Sequence, residues 1–596
     1  MIEIFPSLII ELFSSVYVLY VLLVFLSIAY YFSTYTLDKW SKLNVPYPPP
    51  LPLFGNSMKM VLTLEEPIHF FSRIYNQFSG EKFCGFYQMT TPFLMLRDPE
   101  LINSIMVKDF SYFTDHGVDT HPSVNILANS LFLLNGDRWR TMRQKLSPGF
   151  TSGKLKDTHE QIKGCIEQLM NVIDDKLKTC DHFELREIIA NFSTDVIGAS
   201  AFGLKLDTIK NGNSDFRKFG KKLFQGNLKQ LFIQALLLVC PKLVFALKLK
   251  QFPEDVSEFY GSMFKEVLEY RSRNNVIRND VTQTLIQARN DLVLNNDSTS
   301  ENKWAEIDII ANAVLMFVAG SETVSTLTCF CLYELALNKE VQDRLREEIV
   351  TTKAKYGGNL NNNFLTDLRY MNMVLEEASR KYSITLIILR QATKNYKVPG
   401  QSLVIEKGQK IVIPILAIHN DPKYYPNPNT FDPERFSAEE KSKRLNGTYI
   451  PFGDGPRLCI GKRLAELEMK FVLTEILSKY EILPCEKTEI PLIIGSPGNI
   501  VSPKNGIHLK FKPIVNFNIK VHHRMSKIFL YTILIQRYKS SSLITTDNRL
   551  MNFISLFYEA IVLLSTNCLS LDRFNNRTYF VVRNTCNLEF CNNSNF

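Results

Sequence analysis

The residues with the clearest chemical potential lie in a glycine-rich segment that ends in a cysteine. Residues 451–459, PFGDGPRLC, hold two glycines and two prolines, a composition that favours a tight loop. A helical pattern begins at Lys462, so Cys459 is expected near a helix N-terminus, where N–H groups and the helix dipole stabilise negative charge. The pattern therefore predicts a lowered thiol pKa and a thiolate able to bind a metal.

A single thiolate restricts the kind of metal site. The eleven cysteines of the chain show no CxxC spacing, and Cys459 has no partner Cys or His that would complete a zinc site. One thiolate is enough for haem iron, because the macrocycle supplies four nitrogens. Arg457, two residues earlier, could then pair with a haem propionate. For the thiol taken alone, an ordinary buried cysteine is the alternative.

The whole segment resembles the Phe-x-x-Gly-x-Arg-x-Cys-x-Gly signature of the haem-thiolate monooxygenases, the cytochrome P-450 family. Every fixed position is filled, from Phe452 to Gly461. The resemblance implies haem b bound by Cys459, Arg457 and Phe452, with Cys459 as the metal ligand. It also implies insertion of one atom of O2 into a lipophilic small molecule, with NADPH electrons from a cytochrome reductase and cytochrome b5 as a further candidate partner.

A second motif, residues 319–323, AGSET, lies inside a long helical pattern. Glycine in a helix interior costs about 1 kcal/mol relative to alanine, so Gly320 suggests a kink or the close approach of a flat ligand. By resemblance, Thr323 is the catalytic proton-relay hydroxyl and Glu322 its acidic neighbour. From the residues alone, a helical threonine more often bonds its own backbone.

The resemblance assigns structural and cofactor-binding roles to several further residues. Glu377, Arg380 and Arg435 would form a buried cluster that locks the cysteine loop, although such a pair taken alone is usually a solvated contact. Ala378 and Ser379 replace a usual Thr-Leu, and Ser383 stands where proline is frequent, which leaves folding efficiency open. The propionate ligands implied by family position are Trp139, Arg143 and Arg390. Pocket walls implied in the same way are Phe113, Phe317, Ala319, Thr323 and the segment Ser383–Leu389.

Long helical patterns dominate the body of the chain. They occur near 139–178, 185–204, 256–293, 305–336, 338–354 and 366–382. Short strand patterns occur at Phe93–Leu96, Tyr396–Val398 and Lys410–Pro414. These patterns predict a mainly α fold with small β-sheets. The resemblance implies that this is the cytochrome P-450 fold with an N-terminal transmembrane helix and a monooxygenase domain at 57–515.

The amino-terminal region predicts a membrane anchor. Residues 12–32 form an uncharged run long enough to span a bilayer, and Lys39 and Lys42 follow it, which places the catalytic domain in the cytosol. We therefore expect an anchor at 1–34 in the endoplasmic reticulum membrane and a proline-rich hinge at 35–56. The apolar segment 229–248 is a second membrane-dipping surface, a lid, or a pair of core helices.

The charge pattern suggests a basic docking face for an acidic reductase. The net charge of +9 is modest and scattered, so nucleic acid is not an expected partner. The residues of this basic face are Arg138, Arg140, Lys145, Lys462 and Arg463.

Residues 516–596 form an anomalous C-terminal extension. They contain no glycine, no proline, one alanine and twelve asparagines, a composition unsuited to a domain that needs turns. We interpret them as read-through or a gene-model artefact, with a second anchor around Met551–Leu571 as the alternative.

Three functions remain open from the sequence. Residues 192–197 and 201–203 look most like the insect microsomal branch of the family, which oxidises xenobiotics such as insecticides and plant toxins. Endogenous hormones or fatty acids are equally open as substrates of the monooxygenase. The alternatives are a catalytically inactive, membrane-tethered binder of haem or lipophiles, and a haem-thiolate isomerase that needs no O2.

Overall fold

The computed structural model describes most of the chain up to residue 514. The described residues are 4–514 except 122–125, 152, 155–157, 213, 225–227, 251, 295–298 and 497, together with the strand residues 569–574 and 577–582. Residues up to 514 form one compact unit, and the chain from Val515 onward forms another.

Helices dominate the first unit, as the sequence predicts. The helices are α1 Ile4–Thr34, α2 Lys39–Lys42, α3 Met58–Val61, α4 Pro67–Gln77, α5 Pro99–Asn103, α6 Gly136–Leu146, α7 His159–Leu177, α8 Arg186–Ile197, α9 Thr208–Asn211, α10 Asp215–Phe224, α11 Leu228–Val239, α12 Pro241–Ala246, α13 Glu254–Arg273, α14 Val281–Leu294, α15 Thr299–Leu337, α16 Lys339–Lys355, α17 Asn362–Asp367, α18 Arg369–Lys381, α19 Ile415–His419, α20 Ala438–Lys443 and α21 Lys462–Lys479.

Single helical turns connect several of these elements. The 3₁₀ turns are Phe110–Tyr112, Ile126–Asn129, Ser147–Phe150, Pro433–Phe436 and Gly455–Arg457, and the π turns are Ser104–Lys108 and Gly198–Phe202.

Small sheets flank the helices. The strands are β1 Phe83–Gln88, β2 Thr91–Leu96, β3 His182–Glu184, β4 Ile388–Gln391, β5 Tyr396–Lys397, β6 Val404–Ile405, β7 Lys410–Ile413, β8 Tyr480–Leu483, β9 Ile494–Gly495, β10 Ser502–Pro503 and β11 His508–Pro513. The largest sheet has the order β1-β2-β7-β4, in which only the β2–β7 pair is parallel. Arg390 of β4 lies opposite Ile411 of β7. The backbone position of Arg390 is therefore fixed by its strand at the edge of this sheet.

Helix α15 is the central element of the first unit. Its segment Glu306–Leu337 is apolar enough to cross a membrane by length and composition, but 72% of its most apolar 18-residue stretch is buried inside the protein. It packs along α8, which is buried on nearly every side from Ile188 to Ile197. The long apolar helix is therefore a core element, and its position fixes the motif at 319–323.

Two of the predicted helical stretches are each divided in two. The stretch at 139–178 is interrupted by the turn Ser147–Phe150, and the stretch at 256–293 is interrupted between Arg273 and Val281. The apolar periodicity continues across both breaks, which is why it does not reveal them. The predicted strands are confirmed at Thr91–Leu96, Tyr396–Lys397 and Lys410–Ile413.

The N-terminal helix α1 contains the candidate membrane span Tyr17–Thr34, of which only 6% is buried by protein. The proline-rich segment that follows is held against the body of the protein. Gly85 donates its N–H to the Pro46 carbonyl at 2.8 Å, and Asn56 donates its side-chain amide to the carbonyls of Pro48 and Pro49 at 3.1 and 3.0 Å. The segment is a bonded connection between the span and the body.

The apolar segment 229–248 forms the pair α11 and α12, which breaks at Cys240 and Pro241. Ile233, Leu237 and Val244 form a small core between the two helices, while Phe232 remains 65% and Leu247 59% exposed. The pair is therefore only partly a core element.

In the second unit the described residues are the antiparallel strands β12 Leu569–Phe574 and β13 Arg577–Val582. The alternative of a second anchor at Met551–Leu571 lies almost wholly outside the described residues.

Candidate functional site: a buried thiol beneath a cationic cavity

The loop before Cys459 is fixed by its backbone. Cys459 donates its N–H to the Phe452 carbonyl at 2.9 Å. Gly455 has φ +66°, and a Cβ at this position would lie 2.0 Å from the Met106 carbonyl oxygen. Any side chain at Gly455 would therefore displace either the loop or the turn that carries Met106.

Cys459 combines deep burial with an open side-chain surface. The residue is exposed, yet burial raises the pKa of its thiol. A side chain that has open surface and is nevertheless desolvated faces an internal space. Residues that bind a cofactor or ligand have this environment.

The prediction of a lowered thiol pKa at Cys459 is wrong in net direction. The backbone N–H groups of Gly461 and Lys462 and the Arg143 guanidinium do lower the pKa, but desolvation outweighs them. Binding of a metal cation by the sulfur would provide the missing stabilisation of the thiolate.

Glu377 and Arg380 form the buried ion pair expected behind this loop. Both side chains have 0% exposure, and Arg380 donates to the two carboxylate oxygens of Glu377 at 2.7 and 2.8 Å. Arg380 also donates to the carbonyls of His419 and Pro428 at 2.9 and 2.8 Å. Arg435 lies 3.5 Å from Glu377, so the structure brings the three predicted members of the cluster together.

A serine–histidine contact links the end of α18, the helix that carries Glu377 and Arg380, to the cysteine loop. The sequence alone did not reveal this contact. Ser383 lies 2.6 Å from Nδ1 of His419, and Nε2 of His419 accepts the N–H of Ile450 at 2.9 Å. Burial and Arg380 lower the pKa of His419 to about 3, so the ring is neutral and Nδ1 carries the proton. The serine found at the usual proline position thus has a hydrogen-bonding function.

Buried cations surround the other side of the site. Arg457 lies 4.3 Å above the Trp139 ring and donates to the carbonyls of Thr114 and Leu134 at 2.8 and 2.7 Å. Arg143 donates to the Leu458 carbonyl at 2.8 Å, on the sulfur side. Arg457 therefore organises backbone as well as carrying charge, a role that the sequence did not indicate.

Arg390 is the least compensated of these cations. It is 1% exposed, its Nη1 donates to the Leu389 carbonyl at 2.9 Å, and among the described residues its Nε has no hydrogen-bond partner. Burial lowers the pKa of Arg390 to about 10, and burial together with Arg390 lowers the pKa of Arg457 to about 9. Two buried cations that repel each other would be stabilised by carboxylates between them.

The glycine of the distal motif has a different explanation from the one expected. A Cβ on Gly320 would lie 2.9 Å from Cδ1 and 3.1 Å from Cγ1 of Ile197. The glycine therefore permits close packing of α15 on α8, and α15 continues as a helix through it. The group that comes close to Gly320 is Ile197 of α8, so this packing is enough to explain the glycine.

We expect the Gly320→Ala substitution to destabilise the protein despite the better helix propensity of alanine. Crowding against Ile197 costs about 1–3 kcal/mol, against about 1 kcal/mol gained in propensity. In an Ile197→Ala background the atoms that crowd the new Cβ are gone, so the same substitution should become neutral or stabilising. Chemical denaturation of the four proteins of this cycle checks the coupling, and strictly additive effects would contradict the packing explanation.

Thr323 and Glu322 have different partners. Thr323 donates its hydroxyl to the Ala319 carbonyl at 2.7 Å, as a helical threonine commonly does, and its side chain is partly open. Glu322 forms a buried ion pair with Arg217 of α10, with Arg186 at 4.0 Å. The structure therefore directs the carboxylate of Glu322 towards helices α8 and α10.

The expected pocket walls are only partly open. Ala319, Thr323, Ile388 and Leu389 keep some exposed surface. Phe113 is 0% and Phe317 is 1% exposed. The ring of Phe317 contacts the rings of Phe202, Phe216, Tyr260 and Phe264, so it belongs to an aromatic cluster and shows no surface to the site.

This site and this fold define a haem-thiolate protein. The residues present suit haem on three grounds: a thiol open to an interior space, two buried guanidinium groups of which that of Arg390 has an Nε without a partner in the described part of the chain, and an apolar wall on α15. A family model described as Cytochrome P-450 matches residues 45–511.

Similar proteins come from insects. The chain is 35% identical to a probable cytochrome P-450 6a14 of Drosophila melanogaster, over 82% of this chain and 98% of that protein. It is 36% identical to cytochrome P-450 6a2 of Drosophila melanogaster, over 83% and 99%, and 35% identical to cytochrome P-450 6k1 of Blattella germanica, over 81% and 94%. The chain belongs to the cytochrome P-450 family, whose cofactor is haem.

Proposed function

We propose that the protein is a membrane-anchored monooxygenase that oxidises lipophilic small molecules with NADPH electrons delivered by a cytochrome reductase. The observation that carries the proposal is the buried Cys459 thiol with open surface, combined with the buried and unpartnered Nε of Arg390. When bound, haem supplies the activation of O2 and the transfer of one oxygen atom.

The residues around the cavity then have separate tasks. Cys459 holds the iron, and Phe452 and Gly455 fix the backbone that carries it. Arg390 and Arg457 bind the propionates, and Trp139 supports Arg457 from below. Arg143 lies near the sulfur, so we assign it two tasks: it favours the Cys459 thiolate and it binds the cofactor.

Thr323 is the proposed proton-relay residue. Its hydroxyl hydrogen is donated to the Ala319 carbonyl, which leaves the oxygen lone pairs for a water molecule in the open part of the site. Glu322 can act as its acidic neighbour only when its ion pair with Arg217 opens, because a carboxylate held by a buried guanidinium is a weak proton acceptor. We therefore expect Thr323 to contribute more than Glu322.

The apolar surfaces support a membrane location. Tyr17–Thr34 is the candidate span, and Thr36 donates its hydroxyl to the Thr90 carbonyl at 2.5 Å. The next residue, Thr91, is hydrogen-bonded to the Leu238 carbonyl of α11. The exposed Phe232 and Leu247 thus lie on a helix pair bonded to the anchor end, and we propose that they dip into the endoplasmic reticulum membrane, with the catalytic domain in the cytosol.

The proposed reductase surface is only moderately basic. Arg140 and Lys462 have side chains 59% and 43% exposed and are paired with Asp137 at 3.3 Å and Glu466 at 3.9 Å. Arg138 is paired with Asp308, and Lys145 with Asp291. Electrostatic steering of an acidic reductase or cytochrome b5 would therefore rely on the exposed members Arg138, Arg140 and Lys462, each of which has an acidic partner that weakens its field.

The domain boundaries follow from the same proposal. We propose an anchor at 1–34, a connection at 35–56, a monooxygenase domain at 57–515 and an extension at 516–596 that is not needed for catalysis. A stop codon just after residue 515 in the transcript would support this division. A requirement of residues 516–596 for the haem-bound state would contradict it.

The function is tested by reconstitution with reductase, NADPH and a panel of lipophilic xenobiotics, hormones and fatty acids. Oxygenated product that takes up label from ¹⁸O2 supports the proposal. Thr323→Val should lower product per NADPH by about a hundredfold, the lower end of general acid–base effects, while Thr323→Ser should retain most of it. Rearranged product without O2 would indicate the isomerase, and haem binding without any product would indicate an inactive binder.

A further inference from the structure

A histidine with no role assigned so far, His116, lies beside the buried cations Arg390 and Arg457. His116 lies two residues after Thr114, whose carbonyl accepts the Arg457 Nε–H at 2.8 Å. On its other side, Gln391 donates its N–H to the Asp115 carbonyl at 2.8 Å, which attaches the segment to strand β4. His116 is thereby held between the two residues proposed to bind propionates, Arg457 and Arg390.

The orientation of the imidazole is determined by one hydrogen bond. Nδ1 of His116 lies 2.6 Å from the Phe132 carbonyl oxygen, and a carbonyl only accepts, so Nδ1 carries hydrogen. The same carbonyl lies 3.4 Å from Nη1 of Arg457. Within the part of the chain that the structure describes, Nε2 makes no hydrogen bond, and it is the atom left to interact with a bound group.

The surroundings of His116 resemble those of Cys459. Its side chain keeps partial exposure, while burial, Arg390 and Arg457 hold the pKa of His116 well below its usual range. Open surface in a desolvated position again faces an interior space.

The charged groups near His116 are largely cationic. Arg390 and Arg457 face it from β4 and from the cysteine loop, with Arg143 beyond Arg457. Asp115 is the preceding residue in the chain, and its carboxylate accepts the Gly136 N–H at 2.8 Å and the Thr114 hydroxyl at 3.0 Å. Further along the segment, Asp119 is paired with Lys410. The cluster therefore has more buried positive charge than its acids neutralise.

We propose that His116 is a cofactor-positioning residue whose Nε2 binds a haem propionate beside Arg390 and takes up one proton from solvent as haem binds. The neutral imidazole of the haem-free protein becomes an imidazolium, which donates both N–H groups, one to Phe132 and one to the carboxylate. The inference rests on the proposed propionate site formed by Arg390 and Arg457.

A pH dependence of haem retention follows, and its sign can be worked out. In the haem-free protein His116 stays neutral down to acidic pH, whereas a neighbouring carboxylate raises the pKa of the bound state. Between these two pKa values, binding takes up a proton, so affinity for haem falls as pH rises until His116 is neutral in both states. Each pH unit between the two pKa values corresponds to about a tenfold change in the affinity for haem.

The test is the rate of haem transfer from the full-length holoprotein to excess apomyoglobin, measured from about pH 6 to about pH 9, the range around histidine titration. We expect the wild-type rate to rise by about tenfold across this range. His116→Arg should be slow and nearly flat, because its charge is permanent. His116→Asn should be fast and flat, because its side-chain amide can still donate to Phe132 but lacks Nε2.

Two controls separate this inference from the proposed function. Arg390→Met should speed transfer at every pH, and if it does not, the propionate site itself is wrong. If Arg390→Met speeds transfer while His116→Asn keeps the wild-type pH profile, only the role of His116 is overturned. His182→Asn, on the protein surface, should leave the profile unchanged, and each variant is first checked for thiolate ligation by its reduced carbon-monoxide spectrum.

Discussion

Glu377→Gln is expected to prevent accumulation of folded, haem-containing protein. The substitution leaves the Arg380 guanidinium buried at 0% exposure with its anionic partner removed. Breaking one side of a buried pair costs about 3–5 kcal/mol, and the free energy of unfolding of a typical protein is only about 5–15 kcal/mol. The backbone carbonyls of His419 and Pro428 would then lose the fixed donor that holds them.

The measurements for this prediction are the yield of haem-bound protein and the midpoint of chemical denaturation. The double substitution Glu377→Gln with Arg380→Met should recover part of the loss, because it removes the uncompensated charge. The matched control is Glu439→Gln in the exposed pair with Lys443, whose side chains are 77% and 57% exposed. That change should cost less than about 1 kcal/mol. Equal losses in the buried and exposed pairs would contradict the structural role of Glu377.

The parts of the site that the sequence predicted depend on local spacing. Cys459 follows a glycine-rich loop and precedes a helix, so its position can be read from nine consecutive residues. Glu377 and Arg380 are three apart on one helix, which places them on one face. In each of these, neighbours in the sequence determine the geometry.

The parts that the sequence did not predict depend on distant residues. Gly320 meets Ile197, and Glu322 meets Arg217, contacts that only the packing of α15 on α8 and α10 creates. The net direction of the Cys459 pKa depends on burial by the whole domain, which outweighs the local effect of the helix N-terminus. His116 carries no local signal, because its partners, Arg390 and Arg457, come from β4 and the cysteine loop.

The fold also has features that the sequence predicted and features that it did not. The apolar period identified the helices around α8, α15 and α18 and the strand β7. It did not identify the breaks at Ser147–Phe150 and between α13 and α14, since the period carries on through both. The order β1-β2-β7-β4 joins strands more than 300 residues apart, and no pattern within one strand specifies its neighbour.

Cys459→Ser is expected to have the largest effect on function. A serine hydroxyl is far less acidic than a thiol and gives a neutral, weakly donating ligand, so the electron donation that a thiolate makes to haem iron is lost. NADPH-dependent product formation should fall below detection, while the fold changes little, because the serine side chain is similar in size. Cys180→Ser, a change at an exposed cysteine, is the matched control and should retain full activity.

The most direct test of the central claim is the reduced carbon-monoxide difference spectrum of membranes that contain the wild-type protein, Cys459→Ser or Cys180→Ser. The account predicts the thiolate-ligated Soret band in the wild type and in Cys180→Ser, and its complete loss in Cys459→Ser. An unchanged band in Cys459→Ser would show that another residue holds the iron, and the assignment of this site would be wrong.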